Sequence, residues 1–349
     1  MEAKTMKCIV MARGEYGGLE LQDKPIPGVE KNDVLVKMHK TAICGTDVHI
    51  YKWDAWAQRT IKTPMTIGHE FVGEIVALGD EVTGLKVGQL VSGEGHVVCG
   101  KCRQCITGVQ HLCRQTIGIG VNTDGVFAQY AAIPAKNIWP CDESIPKSVL
   151  SIQDPLGNAV HTALSFNVIG EDVLITGAGP IGLMAVPILR MSGARHIVIT
   201  DIRQGPLEMA LEFGATRAVN VREEKISDVI EELGMKEGFD VGLEMSGNPH
   251  AFYEMVNNMA NGGKIAVLGI FADDVKLDWD KIIFRGLTLK GIYGREMYNT
   301  WYQMTALLQS GLAGPVSKIV THEFHYTDYK KGFEVMISGE AMKAVLNWD

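Results

Sequence analysis

The sequence predicts an α/β protein in two parts: a mainly β first part, and then a doubly wound parallel sheet flanked by helices. Three observations lead to this fold class. The chain has 349 residues, more than the ~100–200 residues of a single domain. Up to about residue 150, short apolar runs such as DVLVKM, EFVGEIVALG and VFAQYAAIP stand between glycines and turn residues. From about Glu171 onward, apolar runs alternate with helical stretches, which is the order of βαβ units.

The second part reads as alternating strands and helices. The runs DVLITG, HIVITD, FDVGLEMSG and GKIAVLGI predict strands, and PIGLMAVPILRMSG, PLEMALEFGA and PHAFYEMVNNMA predict helices between them. Pro206 and Pro249 stand where helices begin, at positions where the missing N–H costs nothing. Pro187 falls inside the first of these helices, so we expect a kink or a weakened hydrogen bond there.

The C-terminal part predicts two further helices and a closing strand. After about Arg295, EMYNTWYQMTALLQSG and TDYKKGFEVMISG have the amphipathic helical period, and AVLNW is typical of a strand. The pattern alone leaves open whether this tail extends the parallel sheet or returns to the first part.

Composition and charge exclude several classes of function. The formal net charge is −8 and Lys and Arg form no clustered stripe, which argues against nucleic acid or an anionic membrane as a partner. No segment approaches the ~18 consecutive apolar residues of a membrane span. The N-terminal stretch MEAKTMKCIVMARGEYGG lacks the apolar core of a secretory signal. We therefore expect a cytoplasmic protein with a small-molecule partner.

A glycine-rich turn predicts a dinucleotide site. The stretch DVLITGAGPIG carries the pattern G-x-G-x-x-G directly after a predicted strand and at the head of a helix. In this context Gly177 allows the tight turn, Gly179 lets the backbone approach a pyrophosphate, and Gly182 lets helix and strand pack closely. Asp201 ends the next strand, where an acid would bond the ribose hydroxyls of NAD. The alternative is an ordinary turn from strand to helix.

The ends of later strands are expected on the same face of the sheet, where a ligand of an open α/β sheet lies. Arg203, two residues after Asp201, could instead hold the 2′-phosphate of NADP. We expect Asp201 to prevail and NAD to be preferred. The residues expected to contact the cofactor are Gly177, Gly179, Ile181, Gly182, Asp201, Arg203, Leu268, Gly269, Ile270, Ile292 and Tyr293.

Four of the seven cysteines lie together in CGKCRQCITGVQHLC. In a reducing compartment such clustering favours a metal site over disulfides. The four thiolates of Cys99, Cys102, Cys105 and Cys113 would fill a tetrahedral zinc site and leave no open position for a substrate. We therefore expect a structural zinc ion here, the alternative being four unrelated thiols.

A second metal site would need an open position. Cys44 in TAICGTDVHIY and His69 in TIGHEFVGEIVALGDEV are a thiolate and an imidazole, a natural pair for a zinc ion that polarises an alcohol oxygen. By themselves, one cysteine and one histidine so far apart in the chain are weak evidence for a metal site.

The stretch GHEFVGEIVALGDEV reads as GHE-x-x-G-x-x-x-x-x-G-x-x-V, and this pattern resembles the zinc signature of the medium-chain alcohol dehydrogenases. Cys44, the four-cysteine lobe and the glycine motif follow in that family's order, so the resemblance covers the whole chain. Within the family it is closest to members that oxidise L-threonine, as in SGEGHVVCGKC, DPLGNAVHTALSF, GFDVGLEMSG and KGIYGREMYNTWY.

The resemblance implies a domain organisation and an assembly. Residues 1–152 and 297–349 would form a GroES-like domain that binds zinc and substrate, and residues 153–296 would form an inserted Rossmann domain that binds NAD. It further implies two zinc ions per subunit, one catalytic and one structural, and a homotetramer.

The resemblance also implies roles for individual residues. Cys44, His69 and Glu70 would bind the catalytic zinc, Thr46 and His49 would relay a proton, and Asp154 would assist the relay or approach the metal. Three points stay open. Glu70 could instead be a neighbouring acid that tunes the ion without binding it. Asp154 is shorter than the Glu of many relatives, which weakens direct zinc binding by it.

The third open point is His96, which could meet the carboxylate of the substrate or be an ordinary loop histidine. The family often has an arginine soon after the ribose-binding acid, whereas DIRQGPLEMA has Arg203 earlier and Pro206 near that place.

Two other functions remain as alternatives: a polyol or butanediol dehydrogenase of the same family, and a non-catalytic nucleotide-binding protein.

Overall fold

A computed structural model describes residues 5–271 and 274–349. The chain divides into two compact units. Unit 1 comprises the chain up to Asp154 together with Glu296–Gln309 and Val316–Asp349, and unit 2 comprises Pro155–Arg295 and Ser310–Pro315. Most of the C-terminal tail therefore lies in unit 1 with the N-terminal part.

The described strands are, in chain order, β1 (Thr5–Met11), β2 (Leu19–Pro25), β3 (Asp33–Ala42), β4 (Met65–Thr66), β5 (Glu70–Leu78), β6 (Leu90–Gly93), β7 (His96–Val97), β8 (Ile117–Gly118), β9 (Tyr130–Pro134), β10 (Ile138–Pro140), β11 (Asp172–Thr176), β12 (His196–Asp201), β13 (Arg217–Asn220), β14 (Phe239–Glu244), β15 (Met259–Val267), β16 (Thr288–Gly291), β17 (Val320–His325) and β18 (Lys343–Asn347).

The α-helices are α1 (Gly45–Lys52), α2 (Ala55–Thr60), α3 (Arg103–Ile106), α4 (Lys147–Leu150), α5 (Gln153–Ala163), α6 (Pro180–Met191), α7 (Gln204–Glu212), α8 (Ile226–Glu232), α9 (Pro249–Asn258), α10 (Trp279–Phe284), α11 (Asn299–Leu307), α12 (Ala313–Ser317) and α13 (Tyr329–Ser338). Short 3₁₀ turns span Gln110–Leu112, Ala135–Asn137 and Tyr326–Asp328, and a π turn spans Leu308–Leu312. In the described part of the chain, no helix is both long and apolar enough to cross a membrane.

Unit 1 is mainly β, as the short runs between glycines predict. Its largest sheet has the order β10-β6-β5-β3-β18-β17, with β9 also paired to β3, and a second sheet has the order β2-β1-β4. The closing strand β18 runs antiparallel to β3, with Val345 opposite Ala42. The buried core joins N-terminal residues such as Ile9 and Phe71 to Phe333 and Leu346 of the tail. The tail thus packs into the sheet that carries the predicted metal ligands.

Unit 2 is a six-stranded parallel sheet with the order β13-β12-β11-β14-β15-β16. Every residue of β11 is buried, as expected for a strand covered on both faces. The chain leaves β11 toward β12 on one side and returns to β14 on the other, so the direction of winding reverses at β11. The carboxyl ends of strands at such a switch point form the ligand crevice of a doubly wound sheet. The predicted fold class is confirmed.

The prolines of unit 2 are accommodated in different ways. Pro249 is the first residue of α9, after Asn248, whose side chain accepts from the backbone N–H groups of His250 and Ala251. Pro206 is the third residue of α7, within the first turn, where no intrahelical donor is lost. Pro187 lies inside α6, and the helix continues through it to Met191.

Candidate functional site

The first candidate metal centre lies in unit 1 where β3 meets β5. Glu70 opens β5 and lies opposite Ala42 at the end of β3. This register brings Cys44, two residues beyond β3, beside His69, which precedes β5. One ligand atom each of Cys44, His69 and Glu70 lies within 4.8 Å of the others. The pairing of two strands therefore assembles three donors that are far apart in the sequence.

Two further acidic side chains, those of Asp47 and Asp154, lie close enough to His69 to act on its charge. Asp47 is fully buried, and its carboxylate accepts a hydrogen bond of 2.9 Å from the backbone N–H of Cys44. Burial by itself would lower the pKa of His69, but Cys44, Asp47 and Asp154 outweigh it and raise that pKa well above its ordinary value. The centre therefore favours a bound positive charge.

Glu70 is held by a lysine from the C-terminal strand. Lys343 opens β18 and is 3% exposed, and its Nζ lies 2.7 Å and 2.6 Å from the two carboxylate oxygens of Glu70. The same Nζ donates to the backbone carbonyl of Ile43 at 2.9 Å. Burial opposes the charged lysine, but the negative charges of Glu70 and Cys44 outweigh it and raise the pKa of Lys343. Lys343 is therefore a buried cation whose charge compensates that of Glu70.

The donor set fits a zinc ion. Thiolate, imidazole and carboxylate are the ligand types of open zinc sites, which combine three protein ligands with one free position. The imidazole of His69 already interacts with the thiol of Cys44, so two of the three donors face one another. Gly95 lies beside the donors, since a Cβ at this position would be in ordinary contact with Cβ of His69 at 3.5 Å and with Oδ1 of Asp154 at 3.6 Å.

The predicted relay residues lie on α1, the helix that follows Cys44. Thr46 is half-buried in its first turn, whereas His49 is exposed. Residues three apart on a helix share a face, so Thr46 and His49 lie on the same side of α1. A proton relay through them stays a prediction. Asp154, near the start of α5, is 7% exposed and close enough to His69 to act on its charge.

The second candidate metal centre is the four-cysteine lobe. Neighbouring sulfurs lie 3.5 Å (Cys102–Cys105), 3.6 Å (Cys99–Cys113) and 3.9 Å (Cys102–Cys113) apart. A tetrahedral site with Zn–S bonds of about 2.3 Å has edges of about 3.8 Å. The lobe therefore has the dimensions of a closed zinc site.

The charges of the lobe agree with that assignment. Backbone N–H groups, first that of Arg114, lower the pKa of Cys102 to about 6, while burial raises the pKa of Cys105 to about 12. Hydrogen bonds among the thiols add to both shifts, lowering the pKa of Cys102 and raising that of Cys105. A divalent cation would allow all four thiolates to form.

The glycine motif of unit 2 forms the turn from β11 to α6. Gly177 has φ 92°, and a Cβ there would meet Cα of Ser246 at 2.9 Å. A Cβ on Gly182 would meet the carbonyl oxygen of Gly177 at 2.0 Å. Gly179 directly precedes α6, and no atom lies within 4 Å of a Cβ placed on it. Two glycines thus permit close packing, and the third leaves space where a pyrophosphate would face the helix N-terminus.

Asp201 ends β12 beside this turn, and its carboxylate is fixed by several donors. Oδ2 accepts from the backbone N–H of Ala178 at 2.9 Å, and Oδ1 accepts from those of Ile202 and Arg203. Nε of Arg203 lies 3.2 Å from Oδ1. Burial would raise the pKa of Asp201, but the bonds from Arg203 and Ala178 lower it. The guanidinium of Arg203 thus pairs with the acid that it was expected to oppose, although the arginine side chain is 48% exposed.

The other predicted cofactor residues follow the ends of β15 and β16. Leu268 and Gly269 donate backbone N–H groups to the carbonyl of Glu244, and Ile270 beyond them is 93% exposed. Ile292 is buried, Tyr293 is exposed, and Ile181 is half-buried in the first turn of α6. These segments belong to the carboxyl edge of the sheet, as predicted.

Sequence reasoning missed Glu244, which ends β14 and is fully buried. Its carboxylate accepts from the N–H and hydroxyl of Ser246 and from the N–H of Gly247, and thereby fixes the turn that packs against Gly177. Burial raises its pKa. The signal was present in the sequence, because an acid closes the predicted strand FDVGLE at the end where a ligand of the sheet would lie.

A second missed acid, Glu94, positions His96. The side chain of Glu94 is fully buried, and one of its oxygens accepts from the backbone N–H of His96 and lies 3.0 Å from Nδ1 of that histidine. The other oxygen accepts from the indole N–H of Trp301 at 3.0 Å. His96 is therefore an oriented side chain, and its contact with a substrate stays a prediction. Lys343 was also missed, since the closing strand was taken to begin after it.

Comparison with known proteins identifies the two halves of the chain. Residues 30–144 match the alcohol dehydrogenase GroES-like domain, and residues 180–310 match the zinc-binding dehydrogenase domain. The chain is 58% identical over 344 residues to an L-threonine 3-dehydrogenase of Pseudoalteromonas translucida, covering 99% of this chain and 100% of the relative. It is 57% identical, with the same coverage, to an L-threonine 3-dehydrogenase of Aeromonas salmonicida.

Solved structures agree in fold. An alcohol dehydrogenase of Escherichia coli complexed with NADH superimposes with a TM-score of 0.90 at 27% identity, covering 99% of both chains. An alcohol dehydrogenase of Thermus sp. ATN1 gives a TM-score of 0.89 at 26% identity, covering 98% of this chain and 99% of the other. The resemblance drawn from the zinc signature is confirmed: the chain belongs to the zinc-binding, medium-chain alcohol dehydrogenase family.

Proposed function

We propose that the chain oxidises the secondary alcohol of L-threonine to 2-amino-3-oxobutanoate, with NAD as hydride acceptor and zinc at the Cys44 centre. The observation that carries the proposal is the 58% identity to L-threonine 3-dehydrogenases over 99% of the chain. The intact donor set of Cys44, His69 and Glu70 supports a catalytic rather than a purely nucleotide-binding function.

Bound zinc would polarise the substrate hydroxyl, and bound NAD would accept hydride from the carbon that carries it. The hydroxyl proton must leave as the ketone forms. Thr46 has a hydroxyl that can accept this proton and pass it on, and His49 can deliver it to water because its side chain is 60% exposed. Asp154, buried beside His69, adds negative charge that favours proton departure.

Glu70 has a double role in this proposal. Its carboxylate lies within reach of the ion, while Lys343 compensates part of its charge. A carboxylate whose negative charge is partly compensated by a lysine donates less electron density to the ion than a carboxylate without such a partner. The ion would therefore remain a stronger electrophile toward the substrate oxygen. The four-cysteine lobe would hold the second zinc ion and serve architecture only.

Steady-state kinetics on a substrate panel tests the proposed reaction. L-Threonine presents an ammonium and a carboxylate, and a pocket that pairs with both leaves polar groups unpaired when an analogue lacks them. We expect kcat/KM for L-threonine to exceed that for 2-butanol, sorbitol and 2,3-butanediol by at least about a thousandfold. Comparable values for L-threonine and 2,3-butanediol would contradict the substrate assignment and favour a polyol or butanediol dehydrogenase.

Cofactor preference is expected to follow Asp201. Its carboxylate is ionised and would repel the 2′-phosphate of NADP, and Arg203 is already paired with it. We expect kcat/KM to be at least about tenfold higher with NAD than with NADP. Asp201→Ala should narrow this ratio, and Arg203→Ala should barely change activity with NAD. Equal use of both cofactors by the unmodified protein would show that Asp201 does not select the ribose.

We also propose assembly as a homotetramer. The proposal is supported by apolar side chains exposed in unit 2 close to the edge strand β16, namely Trp279, Ile283 and Phe284 on α10. Exposed apolar groups clustered in this way are typical of surfaces that are covered by a partner.

A further inference from the structure

The outermost group of the proposed proton path, His49, is held by an acid that no sequence motif singles out. α1 ends at Lys52 and is followed by Trp53, whose φ of 51° is the one positive value among the described non-glycine residues. This left-handed residue turns the chain sharply, so Asp54 returns toward the helix it has just left. Its Oδ2 lies 2.5 Å from Nδ1 of His49.

The two carboxylate oxygens of Asp54 have different hydrogen-bond partners. Oδ1 accepts from the backbone N–H groups of Trp56 and Ala57 at 3.0 Å and 2.9 Å and so caps the N-terminus of α2. Oδ2 is left to face His49. The bond from Ala57, with that from His49, lowers the pKa of Asp54, so the group is a carboxylate at neutral pH.

An ionised carboxylate can only accept hydrogen bonds. Nδ1 of His49 must therefore carry the hydrogen of this bond, and the neutral ring keeps its lone pair on Nε2. The ring is further fixed by Trp56, whose centroid lies 6.3 Å away in an edge-on arrangement. Since the histidine side chain is 60% exposed, the nitrogen that can accept a proton is free to exchange it with water.

We propose that Asp54 is a positioning residue that fixes His49 in the tautomer able to accept a proton from inside the protein and release it to solvent. This inference rests on the proposed function, because it gives His49 the last step of proton release. It predicts that the carboxylate, and not merely a helix cap at this position, is needed for full turnover.

The substitution Asp54→Asn separates the two roles of the side chain. Asparagine caps helices as well as aspartate, so its carbonyl oxygen can keep the bonds from Trp56 and Ala57. Its amide NH₂ then faces His49 and can only donate, which forces Nδ1 to become the acceptor and moves the ring hydrogen to Nε2. The variant thus keeps the fold and inverts the tautomer.

Two measurements on the full-length, zinc-loaded protein test the inference. The first is the tautomer of His49 without substrate or NAD, read from the ¹⁵N shifts of the ring and assigned with His49→Ala. We expect the Nδ1–H form in the unmodified protein and the Nε2–H form in Asp54→Asn. The second is turnover of L-threonine: kcat should fall about tenfold in Asp54→Asn, as typically follows loss of a hydrogen-bonding partner behind a functional histidine, with KM nearly unchanged.

Asp278→Asn is the matched control. Asp278 is exposed, belongs to unit 2 and caps α10 by accepting from the N–H of Lys281. Its replacement makes the same chemical change at a residue that is not part of the proposed proton path. It should leave kcat and the His49 spectrum unchanged. Asp54→Ala, which loses cap and carboxylate together, should lower both kcat and the melting temperature.

The failures of the inference and of the proposed reaction are distinguishable. If Asp54→Asn retains the Nδ1–H tautomer or full kcat while His49→Ala is slow, Asp54 is only a helix cap and the inference is overturned. If His49→Ala itself keeps full kcat with L-threonine, the inference is overturned although the reaction stands. If the unmodified protein does not oxidise L-threonine, the proposed function fails and the inference falls with it, whatever the tautomer.

Discussion

Replacing Cys44 by alanine is expected to lower turnover of L-threonine by at least about a thousandfold, because polarisation of the substrate oxygen by a metal is worth several kcal/mol. The protein should still fold and bind NAD. Cys44 lies in a loop before α1 and is half-buried, so the packed core of unit 1 does not depend on its side chain. The glycine turn and Asp201 belong to unit 2, so NAD affinity should not change.

Zinc content and melting temperature check this expectation. The purified protein should contain two zinc ions per chain, and Cys44→Ala should contain one with a nearly unchanged melting temperature. Cys102→Ser is the contrasting variant, because it opens the closed site of the lobe, where metal binding contributes directly to folding. We expect it to lose the other ion, melt at lower temperature and retain part of its activity.

The opposite pattern would contradict the assignment of the two centres. If Cys102→Ser ended catalysis without changing the melting temperature or the state of assembly, the lobe would not be architectural. One zinc ion per chain in the unmodified protein would favour the alternative of a non-catalytic nucleotide-binding protein.

Local sequence patterns were sufficient to predict the parallel sheet of unit 2. Strands buried on both faces appear in the sequence as continuous apolar runs, as β11 does. The glycines of DVLITGAGPIG were expected to allow close packing, and in the structure a Cβ on Gly177 or Gly182 would clash with neighbouring backbone atoms. The four-cysteine lobe was equally visible, because all its donors lie within one short segment. Features made by residues close together in the chain are the ones a sequence pattern predicts.

Partners distant in sequence were not predictable in this way. Lys343 meets Glu70 across 273 positions because β18 pairs with β3, and no local pattern indicates that pairing. Trp301 on α11 reaches Glu94 across 207 positions, and no local pattern indicates that contact either. The resemblance to a family implied that the tail returns, but it did not reveal which side chain the tail brings to the metal centre.

Replacing Lys343 by methionine is expected to destabilise the protein strongly. The pair with Glu70 is buried, with side-chain exposures of 4% and 0%, and removal of one partner leaves an uncompensated charge in the interior. Breaking such a pair typically costs about 3–5 kcal/mol, whereas methionine restores most of the lost packing volume. We expect the melting temperature to fall by roughly 10 °C, since about 2–4 °C are lost per kcal/mol in domains of about 150–250 residues.

The pH dependence of the stability that Lys343 contributes follows from the direction of its pKa shift. Because the pKa of Lys343 is raised above 10.5, the lysine is charged in both the folded and the unfolded chain at neutral pH. Its contribution to stability is fully present below 10.5 and is lost only as the pH rises through the folded pKa. Titration of Lys343 should therefore leave the difference in melting temperature between the unmodified protein and Lys343→Met nearly constant between about pH 6 and pH 9.

Two further variants decide whether charge compensation is the cause. Lys7→Met removes a lysine from an exposed pair with Asp23, where the side chains are 42% and 57% exposed, and should hardly change the melting temperature because water screens such pairs. Lys343→Met combined with Glu70→Gln removes both buried charges and should recover most of the lost stability. If the double variant were no more stable than Lys343→Met, the loss would come from packing around β18, and Lys343 would not be the residue that compensates Glu70 at the metal centre.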